Sequence, residues 1–403
     1  MDLFLLEHKK LWKRKSVKIC VLLCFLYVVV FGNVLSYQWF QFGTVGDYTS
    51  AFNNNFDGYS NIRSKQAYAN RWRGPLTDKT LQQMVRDYQK KSKSDQIADY
   101  EMTDWLTLNT WVETLWPELE KADSPHLMIH YVDPDKLTGF YERRQKAMGT
   151  FLELNGQTGE EKNYFLNMNS KGQTPFVYDW VEGWSVVNAN SVSSIGKIMA
   201  LFLAIALSSM FSGEWHNNTR SLISTTRNGR QQIALAKIGV GFTFTLELFV
   251  LIAASAIGAQ LLFLGTRGWD LPIQCIKLLA TAPMNMLQAE MYEYAYVLLA
   301  SLGLTGIILL FSTLVKSNFA SLLASLSVVY VPMAITQFIP LWAQKILDLL
   351  PFVGDPTDIF RTNIYHLFGR IVWSPYLLVI VPVCLGLLCT PFSMNHWSRR
   401  MKA

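Results

Sequence analysis

Six stretches of this chain stay apolar over the length a helix needs to cross a lipid bilayer, and no other feature restricts the fold as much. Each helical residue rises about 1.5 Å, so roughly 20 mostly apolar residues cover about 30 Å of hydrocarbon. Lipid tails offer no partner to a bare N–H or C=O, so apolar runs of this kind are helices. They occupy residues 17–37, 195–211, 234–264, 294–315, 319–342 and 372–391. The third exceeds one span and must tilt or begin outside the hydrocarbon. The first has a long apolar core and no small-residue cleavage pattern before Gln38, so it reads as a retained span rather than a signal peptide.

Charged residues make up only 16% of the chain, against about a quarter in soluble domains. The deficit lies in the apolar runs. Residues 38–194 have ordinary soluble composition and enough length for a core of their own. That region has no cysteine and therefore no disulfide framework. Cys20, Cys24, Cys384 and Cys389 fall in apolar runs, where cysteine behaves as a small hydrophobe.

The net charge of +6 follows from where the basic residues stand. Lys9, Lys10, Lys13, Arg14, Lys15 and Lys18 crowd the start of the first run, and Arg399, Arg400 and Lys402 follow the last. With the N-terminus cytoplasmic, Arg220, Arg227, Arg230 and Lys316 are also on the inner side, which is the pattern of the positive-inside rule. Residues 38–194 are then extracytoplasmic. They present no basic face for nucleic acid, which excludes that partner class. Leu3, Phe4, Leu5, Leu6, Leu11 and Trp12 share the N-terminal segment with the lysines, as in an amphipathic helix lying in the inner interface. A simple topogenic tail would carry the same lysines.

Within the large domain, Gly74-Pro75-Leu76-Thr77 ahead of Leu81, Met84, Val85 and Tyr88 predicts a capped helix. A second helix is expected over 138–154, ending near Gly156, and a shorter one from Gly159. His126–Val132 reads as a strand. The fold class is thus an all-α polytopic membrane bundle: six transmembrane helices, an N-terminal interfacial helix, and a mainly helical or α+β extracellular domain between the first two spans. The divisions are an interfacial helix at 1–16, a first span at 17–37, the domain at 38–194 and a second span at 195–213. A cytoplasmic loop at 214–233, four further spans at 234–392 and a tail at 393–403 complete the chain.

The common catalytic signatures are missing. A phosphate-cradling G-x-x-x-x-G-K-[ST] loop fails, because Ile198 follows Gly196-Lys197 and Ser191 holds the first glycine position. Neither a G-x-S-x-G elbow nor an H-E-x-x-H pair occurs. This chain is not expected to be an enzyme or to hold a cofactor or metal. His126, His130 and Asp133 could suggest zinc on a helix, but the surrounding residues favour a strand that spreads the imidazoles apart. Glu247, inside the third run, costs on the order of 3 kcal/mol in lipid and must face protein or water. It is either on a translocation path or a hydrogen-bonded packing residue.

The inner loop carries the most specific pattern. Glu214 closes the second run, residues 219–226 are rich in Thr, Arg, Leu and Ser, Gly229-Arg230 follows, and Lys237 opens the next run. At this loop the chain resembles the permeases of ABC-2 type transporters. Phe140-Tyr141-Glu142-Arg143-Arg144 and Pro175 to Trp180 with Gly183-Trp184 are similar to outer domains of some Gram-positive members. The resemblance implies a multi-pass permease of a bacterial cell membrane, paired with an identical or homologous permease. It further implies separate ATPase subunits that bind ATP and magnesium and dock through Glu214, Arg220, Leu222, Ile223, Arg227 and Arg230. Export or extraction of a peptide, an antimicrobial or a lipid-like compound is the implied activity. A membrane sensor or scaffold that signals without transport is the alternative, and an embedded enzyme using Glu247 or the His126, His130 and Asp133 group is a third.

Overall fold

The structure is a computed structural model that describes residues 2–30, 66–94, 105–121, 128–185, 192–216 and 229–400. Among the described residues, five helices are long and apolar enough to cross a membrane: Ser194–Trp215, Arg230–Leu262, Met286–Leu314, Asn318–Phe338 and Ser374–Arg400. The expected first span lies partly outside the described residues, and its described part is helical as far as Val30.

Two helices open the chain, α1 (Asp2–Lys13) and α2 (Lys15–Leu26), joined at an extended Arg14. As its amphipathic pattern predicts, α1 buries Leu11 in the bundle and leaves Leu5 and Leu6 exposed.

The large domain follows. Thr77 accepts a hydrogen bond from the Thr80 amide (3.2 Å) and so caps α3 (Asp78–Ser94), whose Leu81, Met84, Val85 and Tyr88 are all buried. Next come α4 (Trp105–Leu115), α5 (Phe140–Leu154) and α6 (Gly159–Asn169). α5 ends as expected: Gly156 is left-handed (φ 77°), and the Gln157 amide returns to Leu152 O at 2.9 Å. Among the described residues of this domain, sheet is a two-residue pairing of β1 (Gly74–Pro75) with β2 (Val177–Tyr178). The strand expected at His126–Val132 is not formed. Residues 128–130 make a 3-10 turn, and 126–127 lie outside the described residues. Side chains replace a neighbouring strand there: Ile129 N donates to Asn109 Oδ1 (3.1 Å), and Gln89 Nε2 donates to Ile129 O (2.9 Å) and Val132 O (2.7 Å).

The remaining membrane helices are α7 (Val192–Leu207), α8 (Ser209–His216), α9 (Gly229–Leu264), α10 (Met286–Leu314), α11 (Asn318–Ile335) and α12 (Ser374–Arg400). α10 runs through the centre and is buried for most of its length. It lies parallel to α12 at backbone contact: a Cβ added to Gly306 would sit 2.5 Å from Gly386 O. Small residues at such a crossing let membrane helices approach closely, which replaces the hydrophobic drive that lipid removes. Against α9 it runs antiparallel, with Thr245 and Thr305 hydroxyls 2.7 Å apart.

Three boundaries differ from the sequence reading. α10 starts at Met286, where Asn285 and Gln288 form a reciprocal capping box, rather than at Tyr294. The fifth run does not continue to Trp342 as one helix: α11 ends at Ile335, a 3-10 turn covers Thr336–Phe338, and a separate helix, Leu341–Leu347, starts after Pro340. Residues 372–373 belong to a hairpin, β3 (Ile364–Leu367) with β4 (Arg370–Trp373). Its tight turn carries positive φ at Phe368 and Gly369.

The domain core is continuous with the bundle. Trp111, Trp116, Phe140, Phe176 and Trp180 share one cluster with Leu264, the last residue of α9, and Leu278 of the loop that follows it. Met148, Phe165 and Trp184 share another with Ile273, Met286, Ile359 and Trp373. The bundle thus has a domain end, formed by this loop and the β3–β4 hairpin, and an opposite basal end, where α1 packs.

Candidate functional site

At the basal end, three segments distant in sequence converge on one lysine. Lys237 of α9 is 1% exposed. Its ammonium donates to Glu7 of α1 and to Glu214 of α8, both at 2.9 Å. Lys10 donates to the same Glu214 oxygen at 2.7 Å. Two cations and two carboxylates therefore compensate one another, Lys237 and Glu214 away from water and Lys10 at its edge, and charge-assisted hydrogen bonds fix their geometry.

The second membrane segment is interrupted just before this cluster. Ser208 is a single turn residue between α7 and α8. Its carbonyl accepts from Ser212 Oγ and from Ser321 Oγ, each at 2.9 Å. The amides of Phe211 and Ser212 donate to Ser312 Oγ at 2.9 and 3.2 Å. Ser212 Oγ also lies 2.6 Å from Asn318 Oδ1. Hydroxyls from α10 and α11 thus satisfy backbone groups freed by the break, the condition on which lipid tolerates one. Nearby, Arg400 donates to Thr313 O (2.6 Å) and Leu314 O (3.0 Å), putting positive charge at the C-terminus of α10. The same guanidinium stands 4.6 Å from the Trp215 ring centroid.

Glu247 lies further along α9 and faces α1. It accepts from Trp12 Nε1 at 2.9 Å and meets His8 Nε2 at 2.9 and 3.1 Å. Its side chain is 37% exposed. Hydrogen bonding to the interfacial helix is how this carboxylate is accommodated in an apolar run.

Of the six residues expected to dock an ATPase, Glu214 and Arg230 are described, and Arg220, Leu222, Ile223 and Arg227 lie outside the described residues. Glu214 stands in the lysine cluster, and Arg230 is half-buried in the first turn of α9. The sequence did not single out Glu7. Its one signal was a carboxylate one helical turn before Lys10 in an otherwise basic segment.

The domain end holds charge differently. Arg144 of α5 is buried and donates to Leu278 O and Asn169 Oδ1, each at 2.9 Å. Burial lowers its pKa to about 10. Tyr141 donates to Leu76 O (2.8 Å) and accepts from Phe176 N (2.7 Å), and burial raises its phenol to about 12. Together these two residues tie the aromatic core of the domain to the bundle loop. On α10, Glu290 and Glu293 are 3% and 0% exposed, and none of their carboxylate oxygens has a partner among the described residues. The sequence reading missed both by starting this helix at Tyr294. A cavity of about 260 Å³ near them is lined by Asp348, Asp355 and Asp358, with Gln344, Asn363 and Arg361, whose guanidinium pairs with Asp355 (3.5 Å) and Asp358 (3.6 Å). Burial lifts the Asp348 carboxyl to about 6, and burial also raises Asp358 despite hydrogen bonds from Ser374 (2.7 Å) and Asn363 (3.1 Å).

His130 and Asp133 do not converge. His130 Nε2 lies 3.0 Å from the Tyr88 hydroxyl, and Asp133 caps a turn by accepting from Asp135 N. Among the described residues, no group of three or more His, Cys, Asp or Glu is placed to hold a metal. A larger cavity, about 460 Å³, opens between the domain and the loop after α9. In it Asp179 pairs with Arg73 (3.1 Å) and with Arg267, so its cations are already compensated. No protein-family description, curated protein or solved structure matches this chain.

Proposed function

We propose that this chain is the membrane-spanning permease subunit of an ABC transporter, moving a peptide, antimicrobial or lipid-like compound with the power of separate ATPase subunits. The observation that carries it is the Lys237 cluster. Glu214 and Lys237 flank the 217–228 segment on its two sides and are bound to each other, and Glu7 adds α1 to the same block. A push on that segment from a docked ATPase would reach α8, α9 and α1 together, which is what coupling to a distant motor requires. With the basal end cytoplasmic, the basic residues of α1, Arg230, Lys316 and Arg400 are on the inner side, in accord with the positive-inside rule. The domain then stands outside, over the mouth of the bundle. A sensor or scaffold would need only one or two spans to hold such a domain.

Purification of the intact assembly from native membranes tests this. A nucleotide-hydrolysing companion is expected, and Leu222→Ala, Ile223→Ala and Arg227→Ala combined should separate ATP hydrolysis from transport. A native assembly with no such companion refutes the assignment.

A further inference from the structure

Residues at i, i+3 and i+4 of a helix share one face, so Glu290, Glu293 and Tyr294 form a single patch on α10. The bundle covers it: Tyr294 is 6% exposed, and its hydroxyl, like the four carboxylate oxygens, has no hydrogen-bond partner among the described residues. That phenol lies within electrostatic reach of both carboxylates. Its ring meets Phe249 of α9 edge-on at 6.4 Å.

We propose that this patch is a cation site that takes the alkylammonium group of the transported compound. The site offers up to four carboxylate oxygens and a phenol, and none of the described side chains hydrogen-bonds to them or supplies the balancing charge. Buried carboxylates call for a counter-charge and for hydrogen-bond donors, and an ammonium group brings both. The Tyr294 and Phe249 rings suit an organic cation, whose charge is attracted to aromatic faces. A metal ion fits less well, because no three-membered ligand group is available among the described residues. The neighbouring 260 Å³ cavity is acidic on balance, with Asp348, Asp355 and Asp358 against Arg361, which pairs with Asp355 (3.5 Å) and Asp358 (3.6 Å). Asp355 is within electrostatic reach of Glu293, and Tyr296 of α10 donates to Gly354 O in the cavity wall at 2.7 Å. Carboxylates lining a concave mouth concentrate cations there. The name "transported compound" rests on the permease assignment, whereas the site itself does not.

The test is binding to the purified chain in lipid nanodiscs, without any ATPase. The probes are dodecylammonium, for a lipid-like amine, and a trilysine peptide, for a peptide amine, with dodecanol as the uncharged control. At least one ammonium probe should bind saturably and weaken ten-fold or more in Glu290→Gln/Glu293→Gln. Glu293→Gln alone serves as the milder variant, and Glu160→Gln, on the domain surface, should bind as the parent does. Dodecanol should not distinguish the variants. Ammonium affinity unchanged in both glutamine variants overturns the proposal, as does sodium binding that those variants abolish while ammonium binding persists. Loss of the site would leave the ATPase question untouched, and absence of an ATPase companion would leave the site standing.

Discussion

At the basal end Lys237 sits 1% exposed between Glu7 and Glu214, and at the domain end Glu290 and Glu293 are as deeply buried with no counter-charge among the described residues. Both ends take charged side chains out of water, yet the consequences are opposite. A compensated cluster is a clamp: its members hold three segments in register, and removing one leaves the others costly. An uncompensated pair holds nothing together, and its oxygens are open to a cation or donor from outside. Depth of burial therefore says little about the role of a charged residue in this bundle, and the identity of its neighbours says much.

The sharpest way to break this comparison is to delete one charge at each end. Lys237→Met leaves Glu7 and Glu214 only the half-exposed Lys10 as counter-charge and should cost about 3 kcal/mol, seen as a lower melting temperature in detergent and rapid trypsin cleavage in α1. Glu290→Gln/Glu293→Gln should melt no lower than the parent protein. Equal losses in both would erase the distinction. An intermediate case comes next. Glu247 is paired but partly exposed, so Glu247→Gln should cost only about 0.5–1 kcal/mol. It should loosen α1 without unfolding the bundle, read by the same proteolysis assay. The smallest effect belongs to pH. Asp348 is lifted from an ordinary 3.8 to about 6 by burial, so its contribution to stability is full below about pH 4 and is lost as pH rises through about 6. Because the group is only half covered, the change should be roughly a few tenths of a kcal/mol. Asp348→Asn should flatten the melting-temperature profile across that window.

Much of this architecture was legible in the residues, and the losses have physical causes. Hydropathy located the later spans because lipid demands long apolar runs, and capping chemistry located α3 and the end of α5 through Thr77 and Gly156. The start of α10 was misplaced because Glu290 and Glu293 look like residues that water should keep. Only tertiary packing of neighbouring helices makes them interior. Strand propensity at Met128 to Val132 failed for a similar reason, since Gln89 and Asn109 from two helices occupy the backbone groups a sheet would use. At the base, Glu214 and Lys237 were readable as an ordered pattern. Their meeting with Glu7 was not, because a salt bridge across 230 positions leaves no local trace.

The break at Ser208 decides which neighbours the stub α8 follows. Hydroxyls of Ser312 and Ser321, with Asn318, grip the backbone and side chains around it, while a single turn residue joins it to α7. Mechanically, α8 is a junction: these contacts bind it to α10 and α11, and Glu214 binds it to α9 and α1, so a movement of any of the four reaches it without passing through α7.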